Sequence, residues 1–214
     1  MTTVRIWFTK TGEASYISLL DLQRVMQRSI KRSGIPVWYT MGFNPHIYMT
    51  FANPLPLGQE SLVESVDVKT ELEQVPLENW RQALDRVMPL GIKVTRVTLP
   101  QYKAEKISFA RYQLRMPLSA QASVDAYNQL ETAVIQKKTK RGHKEIDLKQ
   151  ALPRIETEQK ENELQAELLL TAGEGNNLNP SLWLNFMQEH CGLNPTDVSV
   201  LRTALLLEDQ TDFR

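Results

Sequence analysis

Along this 214-residue chain the hydrophobic period switches between two and about 3.6 in an order that occurs twice, and that recurrence limits the folds open to it. Val4 to Thr9 alternates and is rich in β-formers, a helical pattern runs from 18 to 33, and Ile47 to Phe51 and Leu62 to Thr70 read as strands. A helix from Leu77 to Val87 and a strand from Ile92 to Thr98 complete the first set. After the polar connector Pro100 to Lys106 the order restarts. Arg111 to Met116 is a strand, Ser119 to Val134 a helix, Lys144 to Leu148 and Leu164 to Thr171 strands, Pro180 to His190 a helix, and Val198 to Leu206 a strand. The expected architecture is α+β: two tandem ferredoxin-like βαββαβ domains, 1–100 and 107–208, each an antiparallel sheet covered on one face by two helices.

The helix from 18 to 33 carries the clearest chemistry. At about 100° per residue, Asp21, Arg24, Arg28, Lys31 and Arg32 share one side, while Leu19, Leu22, Val25, Met26 and Ile30 fall largely opposite. Ser18 serves as N-cap with Asp21 three residues on, and Gly34 followed by Pro36 supplies the stop. Arg24/Arg28 and Arg28/Arg32 are like-charge pairs four residues apart, each costing roughly 0.2–0.5 kcal/mol unless an anion covers them. Either acids from elsewhere in the fold pair with this face, or it binds phosphate groups. Asp21 is a capping acid or part of that site.

The loop that follows reads Gly42-Phe43-Asn44-Pro45-His46. Gly42 opens backbone conformations closed to other residues, Asn44 before Pro45 favours a turn, and Pro45 fixes the chain ahead of His46. A held histidine beside cations is a candidate for phosphate contact or proton transfer, or a hydrogen-bonded structural residue. Trp38, Tyr39, Phe43 and Tyr48 gather near the basic helix and suit either base stacking or the core. Residues 51–61, FANPLPLGQES, are too stiff and apolar for a linker and predict an ordered loop packed beside the Gly-Phe-Asn-Pro-His turn.

These stretches together resemble a known family. The run from Lys10 and Gly12 through ISLLDLQRVMQRSIKRSGIPVWYTMGFNPHIYMTFANPLPLGQES is similar to the N-terminal signature of the bacterial radical SAM-linked proteins, domains of unknown function encoded beside or fused to cobalamin-binding-type radical SAM proteins. The similarity continues through TKRGHKEIDL (139–148) and Val200 to Thr203. It implies a radical SAM protein as partner and assigns no reaction. Leu19 stands where members of that family usually carry histidine.

Composition excludes several classes. One cysteine, Cys191, rules out an internal disulfide framework and any Cys-rich zinc or iron–sulfur site, and with three histidines no metal or other cofactor is expected. No signal-peptide pattern precedes the first strand and no apolar run approaches 18 residues, so the expected location is the cytoplasm, away from membranes. Net charge is zero but unevenly placed: six basic against three acidic residues in 1–60, eleven against five in 101–155, three against eleven in 156–214. The middle block holds Lys137, Lys138, Lys140, Arg141, His143, Lys144 and Lys149 around Gly142, the pattern of a basic hairpin tip, either a solvated charge run or a phosphate-contacting arm. The Gly-Glu-Gly-Asn-Asn stretch at 173–177 lacks the GK[ST] ending of a nucleotide loop and signals only a turn.

The expected role is an accessory protein that binds an anionic substrate, RNA before others, for a radical SAM enzyme. Its site joins Lys10, Asp21, Arg24, Arg28, Arg32, Asn44 and His46, with Lys138, Lys140, Arg141 and Lys144 as outer contacts. Two alternatives stay open: an RNA-modifying or RNA-processing enzyme using Asp21 and His46, and a protein-docking module that binds no nucleic acid.

Overall fold

Strand β1 (Thr2–Lys10) is buried along most of its length on both faces, more than its alternation alone requires. On one face Val4, Ile6 and Phe8 enter a core with Val66 and Val68 of β3 (Glu60–Thr70), Ile92, Val94 and Val97 of β4 (Ile92–Thr98), Leu22, Met26 and Ile30 of α1 (Leu19–Ser33), and Trp80 and Leu84 of α2 (Leu77–Asp85). On the other face Trp7 stacks at 5.8 Å on Phe213, whose ring also lies 4.4 Å beneath the Arg5 guanidinium. The computed structural model describes residues 1–139, 142–173 and 177–214.

A second core is built from β5 (Phe109–Pro117), β9 (Glu163–Thr171), β10 (Ser199–Leu206), α3 (Gln121–Gln129) and α4 (Pro180–Cys191). Trp183, Phe186 and Met187 sit inside it, as their helical spacing predicts. Tyr127 meets Trp183 and Phe186 edge-on at 6.0 and 6.1 Å, and its hydroxyl donates to the Leu152 carbonyl at 2.8 Å. Aromatic pairs of this geometry add about 0.5–1.5 kcal/mol beyond the area they bury.

The two cores share one sheet. Its order is β4-β1-β3-β10-β5-β9-β8, where β8 is Thr157–Lys160, and β2 (Met49–Phe51) also pairs with β3. Every pairing is antiparallel except β3 with β10, which run parallel through Leu201 opposite Glu60 and Arg202 opposite Ser61. The fold is therefore α+β, with a mixed sheet and, among the described residues, four α-helices, none long and apolar enough to cross a membrane.

The largest departures from the sequence expectation fall in the second half. The helix expected to reach Val134 stops at Gln129, because Val134 and Ile135 begin β6 (Val134–Thr139), where β-branched side chains favour strand. The strand expected at Lys144–Leu148 is β7 (Gly142–Asp147), which pairs with β6 in a separate two-stranded sheet. Its expected place in the main sheet belongs to β8, whose Thr-Glu-Gln-Lys sequence has no apolar residue to mark it as a strand.

Where β3 meets β10, the chain buries charge. Arg202 pairs with Glu64 and donates to the Asn53 carbonyl at 2.7 Å. Burial alone would pull the Arg202 pKa down, but Glu64 and Tyr112 outweigh it and the net shift is upward. The loop at 51–61, expected beside the Gly-Phe-Asn-Pro-His turn, makes hydrogen bonds at this junction instead: Gln59 donates to Ser181 at 3.0 Å, at the start of α4, and so ties the two cores together.

Candidate functional site

Helix α1 is fixed at both ends by its own sequence. Ser18 accepts from the Asp21 amide at 3.1 Å and donates to its carboxylate at 2.7 Å, while Gly34 closes the helix in the left-handed region at φ 72°. A Cβ at such a φ is strained, so glycine suits the stop. Leu22, Met26, Ser29 and Ile30 are buried and the cationic side faces solvent.

The four cations of that side are partnered differently. Arg24 reaches Asp21 at 2.9 Å, an exposed pair in which Ser18 first and Arg24 second hold the Asp21 carboxyl below its usual range. Both Asp21 oxygens are thereby engaged. Arg32 donates to the Val87 carbonyl at 2.6 Å, beyond the end of α2. Lys31 lies 5.9 Å over the Tyr39 ring. Arg28 is exposed and, among the described residues, has neither a hydrogen bond nor an ion pair.

The Lys31–Tyr39 contact joins the helix to the loop after it. A bridge between Tyr39 and Ile47 closes the base of that loop. Above it the Thr40 amide donates to the His46 carbonyl at 2.8 Å, and the His46 amide donates to the Thr40 hydroxyl at 3.1 Å. His46 Nδ1 lies 3.0 Å from the Thr40 hydroxyl and 3.1 Å from the Asn44 carbonyl. Nδ1 donates to the Asn44 carbonyl when it carries the proton and accepts from the Thr40 hydroxyl when it does not, so either tautomer is held by the loop. At the base, Lys69 of β3 sits 4.5 Å over Tyr48 and 5.9 Å over Trp38, two rings in edge contact at 6.2 Å.

The structure thus brings Lys31 of α1 and Lys69 of β3 against Tyr39, Trp38 and Tyr48 of the loop that carries the held His46, with Arg28 three residues before Lys31 on the helix. Lys31 and Lys69 were not among the expected site residues; the signal for Lys69 is the cross-sheet pairing that no local pattern contains. Asn44 and His46 are both exposed. Lys10 is elsewhere in character: it is buried, donates to the Ser15 carbonyl at 3.2 Å, and its pKa is lowered, by burial above all, against the opposing pull of Glu64.

The basic hairpin belongs to the second half. Lys137 faces Lys144 directly across the β6–β7 ladder and donates to the Asn177 carbonyl at 2.5 Å. Burial first, then Lys144, lowers the Lys137 pKa. Lys138 stands opposite His143 in the register. Lys140 and Arg141 lie outside the described residues, as do 174–176 of the expected turn. Lys144 is exposed, and among the described residues it shares no hydrogen bond, ion pair or ring contact with α1 or its loop.

Fold and surface together define an α+β protein that exposes a cationic helix beside an aromatic loop. Residues 3–180 match a family described as an uncharacterised protein conserved in bacteria, DUF2344, and the chain belongs to that family. No curated protein matches it.

Proposed function

We propose that this chain binds RNA through the cationic face of α1 and the loop at 38–48, and that it does so as an accessory to a radical SAM enzyme in the cytoplasm. The observation that carries the proposal is Arg28, exposed and, among the described residues, without an acid partner on a helix where it repels Arg24 and Arg32. A phosphate over that turn removes the repulsion and replaces it with charge-assisted bonds. Lys31, three residues on, and Lys69, at the base of the loop, sit over exposed or half-exposed rings, the combination of cation and π-face that nucleic-acid surfaces use. The partner enzyme is supported by the sequence resemblance to radical SAM-linked proteins.

In this proposal the chain comprises two ferredoxin-like units, 1–100 and 107–208. The strand orders support it: β4-β1-β3-β2 and β10-β5-β9-β8 have the same pattern when each set is numbered from its own first strand. The cations hold the backbone, Asn44 and His46 offer directed hydrogen bonds, and Lys144 with its neighbours on the hairpin adds outer phosphate contacts. With both Asp21 oxygens already bound, phosphate recognition is favoured over a reaction led by that carboxylate.

Filter binding of bulk RNA across a salt series tests the proposal. The expected result is an affinity that falls linearly with salt on logarithmic axes. Affinity that ignores salt, or no binding at low salt, refutes it.

A further inference from the structure

The tip of the α1-proximal loop presents an anomaly that phosphate binding does not use. Phe43 is 105% exposed and its neighbour Met41 89% exposed. A lone exposed apolar residue is ordinary, but two large ones at one tip, burying nothing in the fold, need a reason. The loop is not slack: the Tyr39–Ile47 bridge and the Thr40–His46 hydrogen bonds close its base, and Gly42 at φ 124° turns the chain at the tip. Phe43 is therefore held outward. Among the described residues no ring or cation covers it, whereas Tyr48 and Tyr39 each already have a lysine over the ring.

Charge at the base of the loop selects the occupant. Residues 33–59 contain no Asp, Glu, Lys or Arg, and the charges that approach the loop from the elements packed against it are Lys31 and Lys69. An apolar ring at the tip of a closed loop whose base carries Lys31 over Tyr39 and Lys69 over Tyr48 is complementary to a short run of nucleotides: the backbone goes to the cations at the base and a base to the ring at the tip. Bases in a duplex are stacked on one another and do not offer a face to a loop tip, whereas unpaired bases do. We infer that Phe43 is a stacking platform and that the ligand of this surface is unpaired RNA, a single strand, loop or bulge. This rests on the phosphate-binding proposal above and narrows its substrate class.

The test compares a single-stranded oligouridine of about ten nucleotides with a blunt RNA duplex of the same length, using the full chain and its Phe43→Ala and Phe43→Trp variants. Exposure of Phe43 makes both variants neutral for folding, which circular dichroism verifies. The expected result is tighter binding of the single strand, a loss of roughly 5- to 100-fold for Phe43→Ala, and retained binding for Phe43→Trp with quenching of the new indole. If the duplex binds as tightly and Phe43→Ala changes nothing, the inference fails while phosphate binding stands. If neither RNA binds, both fail. Self-association that Phe43→Ala abolishes, with no RNA bound, assigns the tip to a protein contact and overturns the inference.

Discussion

Arg202 of β10 and Glu64 of β3 pair with each other in the interior, at the point where the two half-sheets meet in parallel. Only two register pairs join β3 to β10 there, so the ion pair and the Asn53 and Gln59 contacts carry much of the junction. Removing one member strands a buried charge. Glu64→Gln is expected to cost about 3–5 kcal/mol, read as a lower urea midpoint. Arg202→Met combined with Glu64→Leu is expected to cost less than the single variant, because Arg202 is no longer stranded, although Lys10 loses the pull of Glu64 in both. Equal losses in the single and double variants contradict the assignment.

Glu78 predicts an acid-side signature. Hydrogen bonds from Arg81, then from Gln82, hold its carboxyl at about 2, against 4.5 for the free side chain. Its folded pKa is depressed, so its contribution to stability is complete above about 4.5 and is lost as pH falls toward 2. The pair is exposed, so the effect is small. An NMR titration of the Glu78 carboxyl is expected to show the depressed midpoint in the native chain and a return toward the ordinary value in Arg81→Ala.

Gly91 predicts a backbone-limited position. It sits at φ 83°, its carbonyl accepts from the Thr11 amide at 2.8 Å, and a Cβ there would lie 2.5 Å from the Thr11 carbonyl oxygen and 2.8 Å from the Ala14 Cβ. Gly91→Ala is expected to destabilise the chain by about 1–3 kcal/mol through strain and displacement of the 11–14 turn, measured by thermal unfolding. A neutral result shows that the turn moves freely.

Legibility in the sequence followed the range of the interactions. Helix α1, with Ser18 at one end and Gly34 at the other, is written in local signals, and its boundaries match the structure. The basic hairpin tip was legible, but its pairing as a separate β6–β7 ribbon was not, because strand pairing is non-local. Strand β8 is a polar edge whose identity comes from its register on β9, Thr157 opposite Ala166. The Lys10, Glu64 and Arg202 cluster escaped for the same reason: each is a charged residue expected at the surface until the sheet brings them together. In the candidate site the cationic face and the loop were both legible, but the partners were not. That Arg24 has an acid while Arg28 has none among the described residues depends on side-chain placement, not on spacing.

The salt dependence of RNA affinity in the full chain and in an Arg24→Ala/Arg28→Ala/Lys31→Ala variant tests the central claim most directly. All three side chains are solvent-facing, so the variant keeps the fold. The account predicts a logarithmic salt slope shallower by about two in the variant, from roughly 0.7 per lost phosphate contact on a single strand, with weaker binding at low salt. Identical slopes and affinities for the two proteins would contradict it.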